Sequence, residues 1–524
     1  MERRLSEFFT QTVMEKCGFL SKDGNADPVI TGLEYDSRNV QLGSLFFALP
    51  GLHTDGSLYI KDAISKGAKV IVHQSETEKT HGIVYITVKD SRFAMSPISA
   101  SFYDNPSHKL TVTGVTGTEG KSTTVYLIWQ LLTLLGKKAG FFSTVQQCFG
   151  DEVIWNAEHQ TTPEAPVVQN FLRQMADNGC EYAVIEASSH GLSPKTNRLG
   201  DVNFYSAVLT NITHEHMEFH GTFEQYREDK ANLFRALDRY VPLNAEPFGV
   251  INGDDRNARF FAKATNSKSF MFSAAGRGGD INIEAIESSA QGNWYVIHIS
   301  ALDERIEIRD KLPGSFNSGN VLAALLTVSG LLKLPIRDIA PFVKKLQPVR
   351  GRMTAINNTG KNFEVIVDYA HTPSSFQAVL PPLRERLNKT GGNIISVFGS
   401  AGERDTQKRI EQGIIAAEYS DIIVLTDEDP RGEDPISILE EIAKGVKSCI
   451  ASQEEKTFIP DQNLFLIPDR PTAVKKAINL AKAGDIVIFL GKGHENSIIY
   501  KDRIMPYDEI AEVERALREI HICR

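Results

Sequence analysis

Apolar runs of strand length recur along the chain, and most of them end in glycine, threonine or acid. Near the amino end "SLFFALPG" and "AKVIVHQ" predict short strands, and "YIKDAISKGA" between them predicts a helix that stops at glycine. Further on, "KLTVTGV", "EYAVIEAS", "FYSAVLTNI" and "FGVING" alternate with helical patterns such as "VYLIWQLLTLLG", the order expected of a mostly parallel sheet. The last third repeats the arrangement in "NIISVFGSAGERD", "DIIVLTDEDPRGED" and "DIVIFLGKGHE". Each of these strands spills into a glycine or charge cluster, and open α/β sheets bind ligands beyond the carboxyl ends of their strands. With no fixed-period repeat, the shifts in pattern alone predict an α/β fold of three domains. These are a small α/β domain over 1–108, a central, mostly parallel sheet over 109–346 and a Rossmann-like α/β domain over 347–524.

Composition narrows the chemistry. A chain of 524 residues exceeds a single core, and about 150 residues per domain again suggests three. The formal charge of -9 argues against a partner whose many phosphates must be neutralised, so no nucleic acid is expected. Five cysteines, an odd number without a C-x-x-C, indicate neither a disulfide framework nor a thiolate metal site and fit a reducing cytoplasm. The opening "MERRLSEFFTQTVMEKCG" has no apolar core of a signal peptide. "VYLIWQLLTLLG" is too short to span a bilayer and is interrupted by Gln130, so it predicts a buried helix and no membrane insertion.

"TVTGVTGTEGKSTT" places a glycine-and-lysine turn between a strand and a helix. Such a turn cradles phosphates: glycines allow close backbone approach, Lys121 reaches the β- and γ-phosphates, and Ser122 offers a hydroxyl to magnesium at a helix N-terminus. The strict phosphate-loop count fails, because Val115 holds the first glycine position. The plain alternative is a glycine turn capping a helix. Downstream, Glu186 in "VIEASSHG" follows a strand and suits a hard cation, though a lone acid there is as readily a cap or a surface group. His214, His216 and His220 in "NITHEHMEFHG" have the look of a zinc cluster but no cysteine beside them. "GTFEQYREDKANLFRAL" opens as a capping box, Thr222 with Gln225, and Lys230 falls in its apolar stripe with Phe223, Tyr226, Phe234 and Leu237. A snorkelling lysine is one explanation. The other is a desolvated amine of lowered pKa, which carbon dioxide would convert to a magnesium-binding carbamate.

The motifs "TGTEGKS", "TTPE", "EASSH", "TNITHEH", "YREDKANLF", "NGDD", "LPGSFNSGN", "GRM" and "VDYAHTP" stand in the order of the Mur ligase family. Over nearly its whole length the chain resembles that family, the ATP-dependent amino-acid-adding enzymes of peptidoglycan precursor synthesis. "YDSRNVQLGSLFFALPG" with "HTDG", "QTTPEA", "GERDTQKR" and "GKGHE" are most similar to the branch that adds the third peptide residue, a diamino acid, to UDP-N-acetylmuramoyl-L-alanyl-D-glutamate. The resemblance implies a UDP-binding first domain, an ATP-binding second and an amino-acid-binding third, in a monomer. It also implies the acceptor of the phosphoryl group, the D-glutamate γ-carboxylate. An acyl phosphate forms, an amine attacks it, and amide, ADP and phosphate result.

Carried onto this chain, the family pattern implies ATP contacts from Gly117, Thr118, Glu119, Gly120, Lys121, Ser122, Thr123, Asn252, Asn317, Arg352 and Asp368. Ser122 and Glu186 would hold one magnesium ion; Glu186, His216 and carbamylated Lys230 would hold a second, and the pair would offset repulsion between anionic donor and anionic acceptor. Ser37, His53, Thr54, Thr161, Thr162, Ser188 and Arg198 would contact the UDP-muramoyl dipeptide. Arg404 would clamp the incoming α-carboxylate and Glu495 accept from an amine, with Glu428, Asp429, Pro430, Arg431 and Gly491 completing the pocket. Enzymes of the branch that add meso-diaminopimelate read D-N-P-R there, and this chain has Asp429 in place of the asparagine. That acid would neutralise Arg431 or attract an ammonium, unless it is a solvated turn residue. The expected substrate is meso-diaminopimelate, with L-lysine and L-ornithine close behind. Glu119 stands where asparagine is frequent in the branch. The rivals are folylpolyglutamate synthetase, which gives no reason for "YDSR" or "GKGHE", and a phosphate-loop switch that ligates nothing.

Overall fold

The computed structural model describes residues 1–51, 55–156, 160–213, 217–242, 244–289, 292–358, 360–450 and 457–522, and builds three α/β sheets. The first has five strands in the order Phe19–Asp23, Val84–Val88, Val70–His73, Ser44–Phe47, Gly32–Glu34, parallel except for the first pair. Every residue of Ser44–Phe47 and Val70–His73 is buried. Both faces of this sheet are covered, which is why these strands read as unbroken apolar runs.

The central sheet has eleven strands among the described residues. Its middle is parallel and ordered Ala139–Phe142, Tyr182–Glu186, Thr111–Thr116, Phe204–Leu209, Phe248–Asn252, Lys268–Ser273. The Thr111–Thr116 strand thus has later strands on both sides, so the carboxyl ends of this trio open the kind of crevice in which α/β sheets bind ligands. All but the last two residues of "VYLIWQLLTLLG" lie in the helix Lys121–Leu134, whose Thr124 and Gln130 are buried along with Val125, Leu127, Ile128, Leu131 and Leu132. Thr222 caps the helix Phe223–Leu237 by accepting from the Gln225 backbone, but the Gln225 side chain reaches forward to Asp229 (2.9 Å). The expected capping box is therefore only half made.

The third sheet runs Thr354–Ala355, Glu364–Val367, Ile486–Phe489, Ile394–Phe398, Ile422–Leu425, Leu464–Leu466, parallel after the first pair. The chain divides into two compact units. One comprises Met1–Ile283, Ile297–Ile306 and Gly319–Phe342; the other comprises Glu284–Val296, Glu307–Ser318 and Val343–Arg524. Among the described residues no single helix is long and apolar enough to cross a membrane. Cys17, Cys148 and Cys180 are free and buried, and burial pushes the Cys17 and Cys180 thiols up to about 11.

Candidate active site

The phosphate-loop strand does not end where the motif count places its first glycine. Val115 is still in the sheet, opposite Glu186 in register and fully buried, and the turn begins at Gly117. Gly117 has φ 151°, and a Cβ there would lie 1.9 Å from Thr210 Oγ1, so only glycine fits. The loop is then pinned from the neighbouring strand end. Thr118 N donates to Asn211 O (2.8 Å), Glu119 N to Asn211 Oδ1 (2.9 Å), and Glu119 O accepts from Thr210 Oγ1 (2.6 Å). Glu119 is half-buried, with its backbone held on both sides. Gly120, at φ 82°, starts the helix, and Lys121 Nζ folds back to the Thr118 carbonyl (2.8 Å). Thr123 follows, half-buried.

At the second residue of that helix, Ser122 Oγ donates to Glu186 Oε2 (2.8 Å), and the Thr144 N–H donates to the same oxygen (2.8 Å). Glu186 ends its strand and is 1 % exposed. A hydroxyl and a carboxylate oxygen side by side beside a phosphate loop suit magnesium, which takes one or two protein oxygens and fills the rest with phosphate and water. Behind Glu186, its carbonyl accepts from Thr162 Oγ1 (3.0 Å), and Thr162 Oγ1 in turn accepts from Ser188 N (3.0 Å). Arg198 donates to the Thr162 carbonyl (2.7 Å) and to Glu164 (2.9 Å), where Arg92 also arrives (2.9 Å). Thr162, Ser188 and Arg198 are thus gathered beside Glu186, with Thr161 next in the chain. Ser37 is buried in the first sheet's domain, where its carbonyl accepts from Lys66 (3.0 Å).

Lys230 does not snorkel. It is 1 % exposed, its Nζ donates to the Gly117 carbonyl (2.6 Å) and lies 4.6 Å from the centre of the Tyr226 ring. The Tyr226 hydroxyl is 3.0 Å from Thr118 Oγ1, a second tie from this helix to the loop. Asn252 holds a turn, donating to the Thr210 carbonyl (2.7 Å) and accepting from Asp254 N (3.0 Å). His53, Thr54, His214 and His216 lie outside the described residues. His220 is held by Asp229 (2.7 Å) and Ser189 (3.0 Å). Among the described residues no group of three or more His, Cys, Asp or Glu side chains is gathered for a metal ion.

In the second unit, "GRM", "VDYAHTP" and "GKGHE" converge. Gly351 packs so closely on Gly493 that a Cβ would meet its carbonyl carbon at 2.4 Å. Arg352 lies 4.5 Å from the centre of the Tyr369 ring. Asp368 accepts from Met353 N and Ala370 N (2.7 Å each); burial raises its pKa against the pull of Arg352. Asn317 starts its helix and donates to the Pro313 carbonyl (2.7 Å). Glu428 is buried beside Gly491, where a Cβ would come 3.0 Å from its Oε2; burial raises its pKa. Asp429 is no solvated turn residue. It is buried and accepts from Lys492 Nζ and Ile499 N (2.9 Å each). Lys492 also pairs with Glu495 (2.5 Å), and Glu495 accepts from the Tyr369 hydroxyl (3.2 Å). Burial works against the Lys492 charge, but Glu495 and Asp429 outweigh it and raise the pKa. Arg431, at φ 54°, follows Pro430 and donates its backbone N–H to Ile499 O (2.9 Å). Arg404 is exposed.

Sequence reasoning singled out neither Lys492 nor the buried Arg470. Lys492 stands inside the quoted "GKGHE", but its partner is 63 residues away. Arg470 Nε donates to Glu509 (2.7 Å), Nη1 to the Asp427 carbonyl (2.9 Å) and Nη2 to the Leu490 carbonyl (2.8 Å), tying together two strand ends of the third sheet.

Three families match along the chain: the Mur ligase family catalytic domain over 29–103, the Mur ligase middle domain over 115–328, and the Mur ligase glutamate ligase domain over 351–493. The UDP-N-acetylmuramyl-tripeptide synthetase of Treponema denticola is 49% identical over 514 residues, 94% of this chain and 95% of that protein. The UDP-N-acetylmuramoyl-L-alanyl-D-glutamate–2,6-diaminopimelate ligase of Clostridium tetani is 34% identical over 515 residues, 97% of this chain and 99% of that one. A solved structure of a ligase of the latter name superposes with a TM-score of 0.62 at 27% identity, covering 95% of this chain and 97% of its own.

Proposed function

The chain belongs to the Mur ligase family, ATP-dependent ligases of peptidoglycan synthesis, and from that premise we propose that it joins a diamino acid to the D-glutamate of UDP-N-acetylmuramoyl-L-alanyl-D-glutamate. The observation that carries this reading is the buried arrangement at the phosphate loop. Ser122 lies against Glu186 on one side, and Lys230 reaches Gly117 on the other. The domains over 1–108, 109–346 and 347–524 would bind the UDP substrate, ATP and the amino acid in turn. The work belongs to the cytoplasm, where ATP is available.

The amide N–H groups at the start of the Lys121–Leu134 helix, with Lys121, hold the β- and γ-phosphates. An oxygen of the D-glutamate γ-carboxylate attacks the γ-phosphorus, the bond to ADP breaks, and an acyl phosphate forms. The amine of the amino acid then attacks the acyl carbon, phosphate leaves with the C–O electron pair, and the amine gives up a proton. Ser122, Glu186, His216 and Lys230 as its carbamate would hold two magnesium ions, which when bound supply positive charge between the two anions. A carbamylated Lys230 keeps one N–H, enough to donate to the Gly117 carbonyl as the amine does now.

Thr162, Ser188 and Arg198 orient the UDP substrate next to Glu186. Arg352 and Asp368 serve ATP. In the amino-acid pocket Arg404 takes the α-carboxylate and Glu495 the amine. Because Lys492 occupies Asp429, that acid does not neutralise Arg431, and a distal carboxylate on the substrate has a cation to meet. This keeps meso-diaminopimelate ahead of L-lysine and L-ornithine.

Phosphate release tests the reading. It should require the UDP-muramoyl dipeptide and a diamino acid together, and product mass from an equimolar mixture of the three candidates names the amino acid. Release from ATP without either substrate would instead mark a nucleotide switch, and a product containing none of the three would overturn the pocket assignment.

A further inference from the structure

We propose that His220 is a positioning residue that locks the lysine-bearing helix to the turn opened by Ser188, through a buried chain of hydrogen bonds joining Ser189, His220 and Asp229. The proposal rests on the reading above for the roles of Ser188 and Lys230. His220 Nδ1 is 2.7 Å from Asp229 Oδ2, and Nε2 is 3.0 Å from Ser189 Oγ. Gln225 Nε2 donates to the other Asp229 oxygen at 2.9 Å. A carboxylate only accepts, so Nδ1 carries a proton, and in the neutral ring Nε2 then accepts from the Ser189 hydroxyl. In this tautomer both ring nitrogens are satisfied.

The same three residue types, in the same order of contact, act as a nucleophilic triad elsewhere. Here His220, Ser189 and Asp229 are 4%, 2% and 1% exposed. A hydroxyl this buried, with His220 and Asp229 enclosed behind it, serves as a brace rather than a nucleophile.

The brace acts on a helix whose rotation matters. Asp229 and Lys230 are consecutive, hence about 100° apart around the axis, and holding one fixes the direction of the other. A slip of about 20° at a side-chain radius of about 6 Å would carry Nζ by about 2 Å. That is enough to break its 2.6 Å contact with the Gly117 carbonyl. The His220 ring also packs against Tyr226 (centroids 5.2 Å apart), whose hydroxyl meets Thr118 Oγ1. Asn232 adds a second tie, donating to the Leu192 carbonyl at 3.1 Å. Phosphate loop, reactive lysine and the Ser188 turn are thereby held as one body.

Two readouts decide it: steady-state kinetics, and amide hydrogen exchange of Thr118 and Glu119, whose N–H groups are bonded to Asn211. His220→Ala should lower kcat at least tenfold and speed exchange of those two amides at least tenfold. His220→Asn keeps a donor to Asp229 and should recover most of kcat. Ser189→Ala should raise KM for the UDP substrate threefold or more. A role in stability alone would lower the unfolding temperature while kcat per folded molecule, KM and loop exchange stay within twofold of the parent, and that result overturns the proposal. If His220→Ala does not fold, Ser189→Ala and His220→Asn decide by the same limits. Loss of ligase activity in the parent protein itself would refute the functional reading instead, and the exchange readout would still stand.

Discussion

Replacing Arg470 with methionine would take the guanidinium from the buried Glu509 carboxylate and leave the Tyr507 hydroxyl, 3.3 Å away, as its remaining side-chain hydrogen-bond donor among the described residues. Arg470 and Glu509 are both fully buried. Burial raises the Glu509 pKa, and the Arg470 charge and hydrogen bond hold it down. Removing one partner of such a pair costs about 3–5 kcal/mol. The carbonyls of Asp427 and Leu490 lose their guanidinium donor as well, at about 1 kcal/mol or more each. A total of about 4–6 kcal/mol follows, the terms overlapping in part. Amide exchange in the strand Ile486–Phe489, measured by mass spectrometry where exchange reports unfolding of the unit, should accelerate by about three orders of magnitude or more. The double variant Arg470→Met/Glu509→Leu removes the Glu509 charge as well, keeps only the loss at the two carbonyls, and should be about 2–3 kcal/mol more stable than the single. Sign matters for pH. In Arg470→Met the folded-state pKa of Glu509 rises further above its unfolded value, so stability falls as pH rises through that interval. The variant should therefore lose less at pH ~5 than at pH ~8. A single variant within about 1 kcal/mol of the parent, or a double variant as unstable as the single, would refute the reasoning.

Gly117→Ala should cut phosphate release by about a hundredfold, because its Cβ would sit 1.9 Å from Thr210 Oγ1 and the loop must move; nucleotide titration calorimetry should show weakened binding in parallel. Lys230→Ala should abolish ligation but leave UDP-substrate affinity within about threefold, and formate or acetate, which resemble the carbamate's carboxylate, should restore part of the rate; full activity without rescue would sink the carbamate. Asp427→Asn should stabilise the protein at pH ~8 by about 1–3 kcal/mol. Burial raises this carboxyl from 3.8 to about 6, so its ionisation opposes folding as pH rises through that interval. The gain should vanish near pH ~4 in a pH series of exchange rates.

Much of the chemistry was legible because it is local. Strand, glycine turn and helix follow one another within "KLTVTGVTGTEGKSTT", so the loop could be placed in spite of Val115. The structure explains the departure: the strand runs one residue past the expected glycine position, to Thr116, and turns at Gly117. Glu186 was legible as an acid at a strand end, but its Ser122 partner, 64 residues away, depends on strand order, which periodicity does not reveal. Asp429 was read against its chain neighbour Arg431, whereas the fold pairs it with Lys492. His220, grouped by spacing with two other histidines, bonds instead to residues 9 and 31 positions away. Patterns along the chain locate elements, and long-range ion pairs need the topology.

The buried thiols give the protein a chemical stopwatch. At pKa about 11, only about one Cys17 or Cys180 sulfur in ten thousand is ionised at pH 7, and thiolate is the form that alkylating reagents attack. A maleimide added to a variant with Cys449 and Cys523 changed to serine therefore reacts only as fast as the fold lets it in. Cys17 would time the opening of the first domain, and Cys148 and Cys180 that of the central one, in one labelling experiment resolved by peptide mass.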